Sequence, residues 1–539
     1  MRDTQGLYKT WLERANDPAL KKELKEIASD EKKIFDAFYR DLEFGTGGLR
    51  GVLGAGTNRM NIFTVGKATQ GLADYVKAHF PTAERSVAIS YDSRINSQLF
   101  AERAAGIFAA NGIQVYLYKT LMPTPCLSYA VRRLNTAAGV MVTASHNPAK
   151  YNGYKVYGSD GCQITEAAAG EILAAIEKTD IFDGVKSLPF DEALSAGKIQ
   201  YIADDILTEF IERVKKESVL GDEKVDKSAN IIYTPLNGTG LVPVTRILKE
   251  SGFENVTIVK EQELPDGNFP TCPYPNPEIK EALLLGLEYA KRNNADILIA
   301  TDPDCDRVGV AVKNASGDFS LLTGNEVGFL LLDFICSMRI KHGKMPKDPV
   351  FVKTIVTSDL AEKIADSYGV RTVNVLTGFK YIGEQIGLLE KKGAADSYLL
   401  GFEESYGYLT GSYVRDKDAV DGVFMIAEMF AYYRKQGVSL LDKLHEIYDH
   451  FGHYVSTLES IAFEGKEGFD KMNAIMDDYR VAVEVEGKKV KAKKDYSLGI
   501  DGLPRSNVVK FLFEDGSTLV ARPSGTEPKL KLYRCFIEK

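Results

Sequence analysis

The sequence predicts an α/β chain closed by a smaller α+β unit, and three observations carry that prediction. Short apolar runs recur ahead of polar loops, each followed by a segment of helical pattern, the alternation expected of parallel sheets covered by helices. The end differs: Val508 to Phe513 and Leu519 to Arg522, with Asp515-Gly516 between them, then Leu530 to Phe536, alternate like antiparallel strands joined by a tight turn. A length of 539 residues gives material for about three to five domains of ordinary size.

From the start of the chain, Leu7 to Tyr39 reads as helical, with Leu20, Leu24 and Ile27 recurring between lysines and glutamates and Ile34, Phe35 and Phe38 extending an apolar face. Val87 to Ser90 reads as a strand ahead of Tyr91-Asp92-Ser93-Arg94. Val140 to Val142 runs into Thr143-Ala144-Ser145-His146-Asn147-Pro148, Ile297 to Ala300 into the aspartate loop, and Tyr398 to Leu400 into the loop around Glu403. The polar stretch Asp180 to Tyr201 reads as a first linker, Leu321 to Glu326 as a second junction and Gly452 to Ser456 as a third. Pro265 to Pro277 holds five prolines, too many for a helix, and reads as a surface or interdomain crossing.

Chemistry concentrates at Asp302-Pro303-Asp304-Cys305-Asp306-Arg307. Three carboxylates at alternating positions would repel one another unless they shared a cation, and ligands in open α/β sheets sit beyond the carboxyl ends of the strands. A calcium EF-hand is excluded, because loop positions six and twelve hold Arg307 and Lys313 instead of Gly and Glu. All-oxygen ligands from few side chains favour a small octahedral cation such as Mg²⁺, with Mn²⁺ also suited; Cys305 reads as a spacer. Ser145 stands at another strand end, and Arg522-Pro523-Ser524-Gly525-Thr526-Glu527-Pro528-Lys529 combines cations with small residues in a way that suits a phosphate. Taken singly, each segment has a plainer reading: a solvated acidic turn, a turn or capping hydroxyl, a hairpin loop.

Composition excludes more than it selects. With 44% hydrophobic and 26% charged residues and a net charge of −8, the chain lacks the basic excess of a general nucleic-acid binder. The six cysteines include no C-x-x-C pair, consistent with reduced thiols. The polar start and the absence of an apolar run near the ~18 residues of a spanning helix predict a cytoplasmic protein without a membrane partner. His445 and His450 lie five apart, not the four of a zinc H-E-x-x-H pair. Gly45 to Gly51 carries Arg50 where a dinucleotide fingerprint needs Gly.

Together these segments resemble the α-D-phosphohexomutases, the phosphoglucomutase and phosphomannomutase family, along nearly the whole chain. The four signatures occur in the family's order: the loop Thr143 to Pro148, the loop Asp302 to Arg307, Gly401-Phe402-Glu403-Glu404-Ser405-Tyr406-Gly407, and Arg522 to Pro528. The resemblance implies three similar α/β domains with mixed, largely parallel sheets and a C-terminal α+β domain, all four around a central cleft. The expected spans are residues 1–205, 206–323, 324–453 and 454–539. It also implies that Ser145 carries a phosphoryl group, that Ser145, Asp302, Asp304 and Asp306 hold one Mg²⁺, and that Arg50 and Arg307 assist. Lys155 or His146 takes the proton of the sugar hydroxyl, and a lysine in that role needs a lowered pKa. Glu403 and Ser405 would read sugar hydroxyls, Arg522, Ser524, Gly525 and Thr526 would clamp the idle phosphate, and Lys380 and Lys417 would add contacts. The implied reaction interconverts glucose 1-phosphate and glucose 6-phosphate through glucose 1,6-bisphosphate, which is also the activator. Mannose or pentose phosphates, a bisphosphate synthase and a non-catalytic sugar-phosphate binder are the alternatives. The sequence is silent on oligomeric state.

Overall fold

The computed structural model describes residues 2–45, 47–463, 465–523 and 529–538, with backbone alone at residues 465–467. Four sheets follow one another along the chain. The first orders its strands Phe44–Gly45, Gly48–Val52, Tyr151–Gly158, Ala138–Val142, Ser86–Tyr91, Gln114–Leu117 and Ile199–Tyr201. Its last four strands are parallel and its first four are joined by antiparallel pairings. The second runs Phe319–Leu322, Val308–Lys313, Ile297–Thr301, Ile231–Thr234 and Val256–Ile258, and the third Arg371–Val375, Val350–Thr354, Tyr398–Glu403 and Gly407–Leu409. Each pairs parallel strands with an antiparallel edge. The fourth is antiparallel throughout and contains the predicted strands as Val509–Phe513, Thr518–Pro523 and Lys529–Glu538. The α/β character and the α+β end are those the alternation predicts, and the three α/β units are those the resemblance implies.

Two differences from the sequence reading have physical causes. Asp180 to Tyr201 is not a linker: it folds into the helix Phe190–Ser195 and an edge strand, Ile199–Tyr201, parallel to Gln114–Leu117. An edge strand needs only one buried contact row, so Ile199 beneath polar neighbours suffices, and such a strand looks like a loop. Leu7 to Tyr39 divides into Thr4–Arg14, Pro18–Glu26 and Glu31–Phe38, because Asp17 and Asp30 accept backbone N–H bonds as new N-caps. Tyr8, Trp11, Leu24, Ile34 and Phe38 bury a small core, while Phe35 stays 53% exposed.

Burial shows how the units are joined. The second and third sheets share one continuous core through Gly324–Lys341 and Ala419–Lys435, helices apolar nearly all round. The first sheet has its own core around Phe108, Val140 and Ile172. The last unit buries Met472, Met476, Phe511 and Leu532 by itself and meets the third through a patch including Ile355, Val356, Val508 and Tyr533. Among the described residues no helix is long and apolar enough to cross a membrane.

Candidate active site

Three of the site loops leave their strands at the same kind of strained corner. Ser145, Cys305 and Tyr406 have φ of 53°, 52° and 66°, the left-handed region that non-glycine residues occupy at a cost of order 1–3 kcal/mol. Each corner directs its neighbours toward the cleft rather than along the strand.

The serine loop is tied down from beneath. Asp92, at the end of Ser86–Tyr91, accepts a hydrogen bond from Thr143 Oγ1 at 2.6 Å, and Thr143 Oγ1 accepts one from the Ser145 backbone N–H at 2.8 Å. Arg94 pairs with Asp92 through Nε at 3.3 Å and donates to four backbone carbonyls of the loop: Ser145 and Asn147 from Nη2, and Pro148 at 3.0 Å and Tyr151 at 3.1 Å from Nη1. Its guanidinium also stacks 5.1 Å from the ring of Phe269, which belongs to the proline-rich crossing. A side chain at Gly153 would meet the carbonyl oxygen of Thr143 at 2.4 Å, so glycine lets the adjacent strand press against the loop. Neither Asp92 nor Arg94 was singled out as functional from sequence; the only available signal was that Tyr91-Asp92-Ser93-Arg94 follows a strand in the same way as the other site loops.

Ser145 meets the aspartates across the cleft. Its Oγ donates to Asp302 Oδ2 at 2.9 Å and lies 3.1 Å from His146 Nδ1. Asp302, Asp304 and Asp306 are fully buried, and one oxygen from each lies within 4.8 Å of the others. Asp302 Oδ1 is held by the backbone N–H groups of Asp306 and Arg307, both at 3.0 Å, and Asp304 Oδ2 accepts from Thr124 Oγ1 at 2.9 Å. Oδ1 of Asp304 and Oδ1 of Asp306 are buried with no hydrogen-bond donor among the described residues. Orphaned carboxylate oxygens converging beside a third carboxylate are what a hard divalent cation would satisfy, so the residues fit one.

The surrounding charges are unequally placed. Burial, then Asp306 and Asp304, push Asp302 well above the usual carboxylate range. Burial acts the same way on Asp306, but Lys417 at 3.2 Å, Lys155 at 3.4 Å and Arg307 outweigh it and hold it low. Lys155 Nζ also donates to Asp304 Oδ2 at 2.8 Å; burial would lower this lysine, yet Asp304 and Asp306 prevail and raise it. The lowered lysine expected of a proton acceptor is therefore not what this arrangement provides. His146 goes the other way: burial, then the charges of Arg307 and Arg50, push its imidazole well below its ordinary value, leaving it neutral at pH 7.

The remaining candidates take varied positions. Arg50 donates to Asn147 Oδ1 at 3.3 Å, at the edge of the serine loop. Arg307 turns its guanidinium to Glu278, a partner not anticipated from sequence. Lys417 reaches the aspartates because its loop docks on the first unit, where Tyr157 Oη donates to Asp416 at 2.7 Å and the Arg415 N–H to Ser128 Oγ at 2.9 Å. Glu403 Oε1 accepts from the Gly378 N–H at 2.9 Å, and burial raises its carboxyl against the pull of Lys417 and Arg307. Ser405 lines a cavity of about 170 Å³ between the third and last units. Lys380 is brought to neither Ser145 nor the aspartates; its ammonium is buried 4.9 Å over the ring of Tyr381. Arg522 stands opposite Lys531 in the last sheet, and Lys531, lowered by burial and by Arg522, senses Glu278, Glu404 and Arg307. Ser524, Gly525 and Thr526 lie outside the described residues.

Four family models match in order: phosphoglucomutase/phosphomannomutase α/β/α domain I over residues 41–181, domain II over 208–317, domain III over 323–451, and the C-terminal domain over 466–534. The chain belongs to the phosphoglucomutase/phosphomannomutase family. Proteins named phosphoglucomutase are similar throughout: that of Staphylococcus saprophyticus is 37% identical over 97% of this chain and 95% of its own length, and that of Staphylococcus aureus strain USA300 is 38% identical over 97% and 94%. The fold is shared with a putative phosphomannomutase from Thermus thermophilus, at TM-score 0.68 and 22% identity over 92% of this chain and 95% of the other. It is shared also with pp63/parafusin from Paramecium in its open form, at TM-score 0.69 and 18% identity over 93% and 91%. As a member of this family the chain is an enzyme, a phosphosugar mutase, and its fold is the family's: three α/β domains and a C-terminal domain.

Proposed function

We propose that this enzyme interconverts glucose 1-phosphate and glucose 6-phosphate by carrying a phosphoryl group on Ser145 and passing through glucose 1,6-bisphosphate. The observation that carries this reading is the hydrogen bond from Ser145 Oγ to Asp302 Oδ2, which sets a hydroxyl with an oriented backbone against a buried carboxylate triad with two unsatisfied oxygens. Four units, residues 1–205, 206–323, 324–453 and 454–539, would each supply one loop.

In the forward step the bond between phosphorus and Ser145 Oγ breaks, a bond to the sugar hydroxyl forms, and the hydroxyl proton leaves to a base. Phosphoryl transfer depends mostly on positioning and charge neutralisation. Asp302, Asp304 and Asp306 would hold Mg²⁺, which when bound supplies positive charge beside the phosphate. Lys155, Lys417 and Arg307 add fixed cations, and Arg94 keeps Oγ in place. His146 is neutral as it stands and can accept the proton. Lys155 becomes competent once Asp304 and Asp306 are neutralised, because burial and Lys417 then lower it against Asp416 alone. Glu403 and Ser405 would orient the sugar, and Arg522 with Ser524, Gly525 and Thr526 would anchor the phosphate that is not reacting. Glu404, pushed up to about 7 by burial and by Glu403, is partly protonated near neutral pH, so this loop holds two adjacent carboxyls without two full charges.

The relatives named phosphoglucomutase and the Glu403-Glu404-Ser405 form support glucose. Assays with glucose, mannose and ribose 1-phosphates, Mg²⁺ and a trace of the matching bisphosphate should give the highest kcat/KM for glucose. A higher value for mannose or ribose phosphate would overturn that choice of sugar.

A further inference from the structure

The cleft has an arm that the reaction above leaves unused. Beyond Arg50 a cavity of about 460 Å³ opens over Gly48, Arg50, Val52 and Tyr151, within the size range of small-molecule sites. In the antiparallel pairing of Gly48–Val52 with Tyr151–Gly158, Gly48 faces Lys155, Arg50 faces Gly153 and Val52 faces Tyr151. Paired residues, and alternate residues along a strand, share a face, so Arg50, Tyr151 and Lys155 stand on the same side of the sheet. The arm and Lys155 therefore lie on one side of the sheet, with Arg50 and Asn147 of the serine-loop edge lining the arm.

Its walls carry Arg40, Arg50, Arg59 and Lys150 against the carboxylates Asp36 and Glu43, and are partly prearranged. Arg40 donates from Nε to Asn58 Oδ1 at 3.2 Å and stacks 5.2 Å from the ring of Tyr39. Asn58 is itself fixed, donating from its side chain to the Asp36 carbonyl at 3.1 Å and from its backbone to that of Ala37 at 3.0 Å. Lys150 also lines the cavity, with Nζ 5.7 Å from the ring of Tyr151. Among the described residues neither Arg40 nor Lys150 pairs with a carboxylate, whereas Arg59 in the same wall is engaged by Asp36. A guanidinium held by Asn58 and an ammonium, neither paired with a carboxylate, in a concavity next to the serine loop, suit a phosphate monoester dianion.

We infer that Arg40 and Lys150 form a staging subsite for one phosphate of the sugar bisphosphate while it turns between its two productive orientations. A bisphosphate that releases Ser145 and the opposite anchor together loses both holds on the protein; the arm retains it by one phosphate within reach of Arg50. This rests on the proposed mutase cycle, and the test separates the two.

Full-length enzyme is charged on Ser145 from radiolabelled glucose 1,6-bisphosphate and mixed with excess unlabelled glucose 1-phosphate; label escaping as free bisphosphate is measured against label reaching glucose 6-phosphate. In Arg40→Ala/Lys150→Ala the escaping fraction should rise about tenfold, the loss expected when about 1.4 kcal/mol of retention disappears. Lys150→Ala alone, at an exposed side chain that folding does not require, should give a smaller rise. A partition equal to wild type in both variants would overturn the subsite. If wild-type Ser145 takes up no label, the mutase reading itself fails.

Discussion

At the scale of the residue, the proposed cycle makes Ser145 reactive through its placement rather than through an activating triad. Its backbone N–H is held by Thr143 Oγ1 and its carbonyl by Arg94, at a residue whose φ is left-handed. Positioning is worth large factors in group transfer, since a misplacement of about 1 Å costs on the order of a hundredfold. Arg94→Lys, which keeps the charge opposite Asp92 but cannot span four carbonyls, should lower kcat about a hundredfold with little change in the KM for glucose 1-phosphate. Steady-state kinetics on protein of unchanged circular dichroism checks this; a kcat within twofold of wild type would show that the clasp does not set the serine. Arg94→Ala should additionally destabilise the fold, because it leaves Asp92 buried and unpaired.

At the scale of the element, the helix Ala419–Lys435 joins the second and third units, and it carries a buried carboxyl. Both oxygens of Glu428 meet Ser218 Oγ, at 2.9 and 2.8 Å, and burial raises its pKa to about 7 from 4.5 against the pull of Ser218 and Lys227. A carboxyl with a raised folded pKa is held protonated in the native state, so the unfolded chain binds fewer protons between the two values. Stability is then lost as pH rises from about 4.5 to about 7 and is level above that. Glu428→Gln should flatten this part of the Tm profile and raise Tm at pH 8; an unchanged slope would contradict the assignment.

The elements were legible in the sequence wherever burial on both faces wrote an unbroken apolar run, as at Val140 to Val142 and Ile297 to Ala300. The loops were legible because chemistry clusters locally, three aspartates in five positions. The supports were not. Arg94 with the serine loop, Phe269 with Arg94, Glu278 with Arg307 and Thr124 with Asp304 join residues distant in sequence, and each alone is an ordinary turn, loop or helix residue. The strand Ile199–Tyr201 was read as a linker because an edge strand writes almost no pattern.

At the scale of the whole molecule, the joints differ in strength. The second and third units share a continuous core, whereas the last rests on a modest apolar patch and on Lys510, which donates to Asp359 at 2.7 Å beside the buried Lys353. Rigid-body motion is therefore expected of the last unit, which brings Arg522 toward the sugar loop and excludes water that would hydrolyse a phosphoserine. Small-angle scattering should show a smaller radius of gyration with saturating glucose 1-phosphate than without it; superimposable profiles, both compact, would contradict closure.

The central claim is that one phosphoryl group resides on Ser145 and moves between the ends of a single sugar, and intact mass spectrometry tests it most directly. After incubation with glucose 1,6-bisphosphate and Mg²⁺, the wild-type chain should gain the mass of one phosphoryl group, lose it to added glucose 1-phosphate, and show no gain as Ser145→Ala. A Ser145→Ala chain that still gains the group and still interconverts the two glucose phosphates would contradict the account.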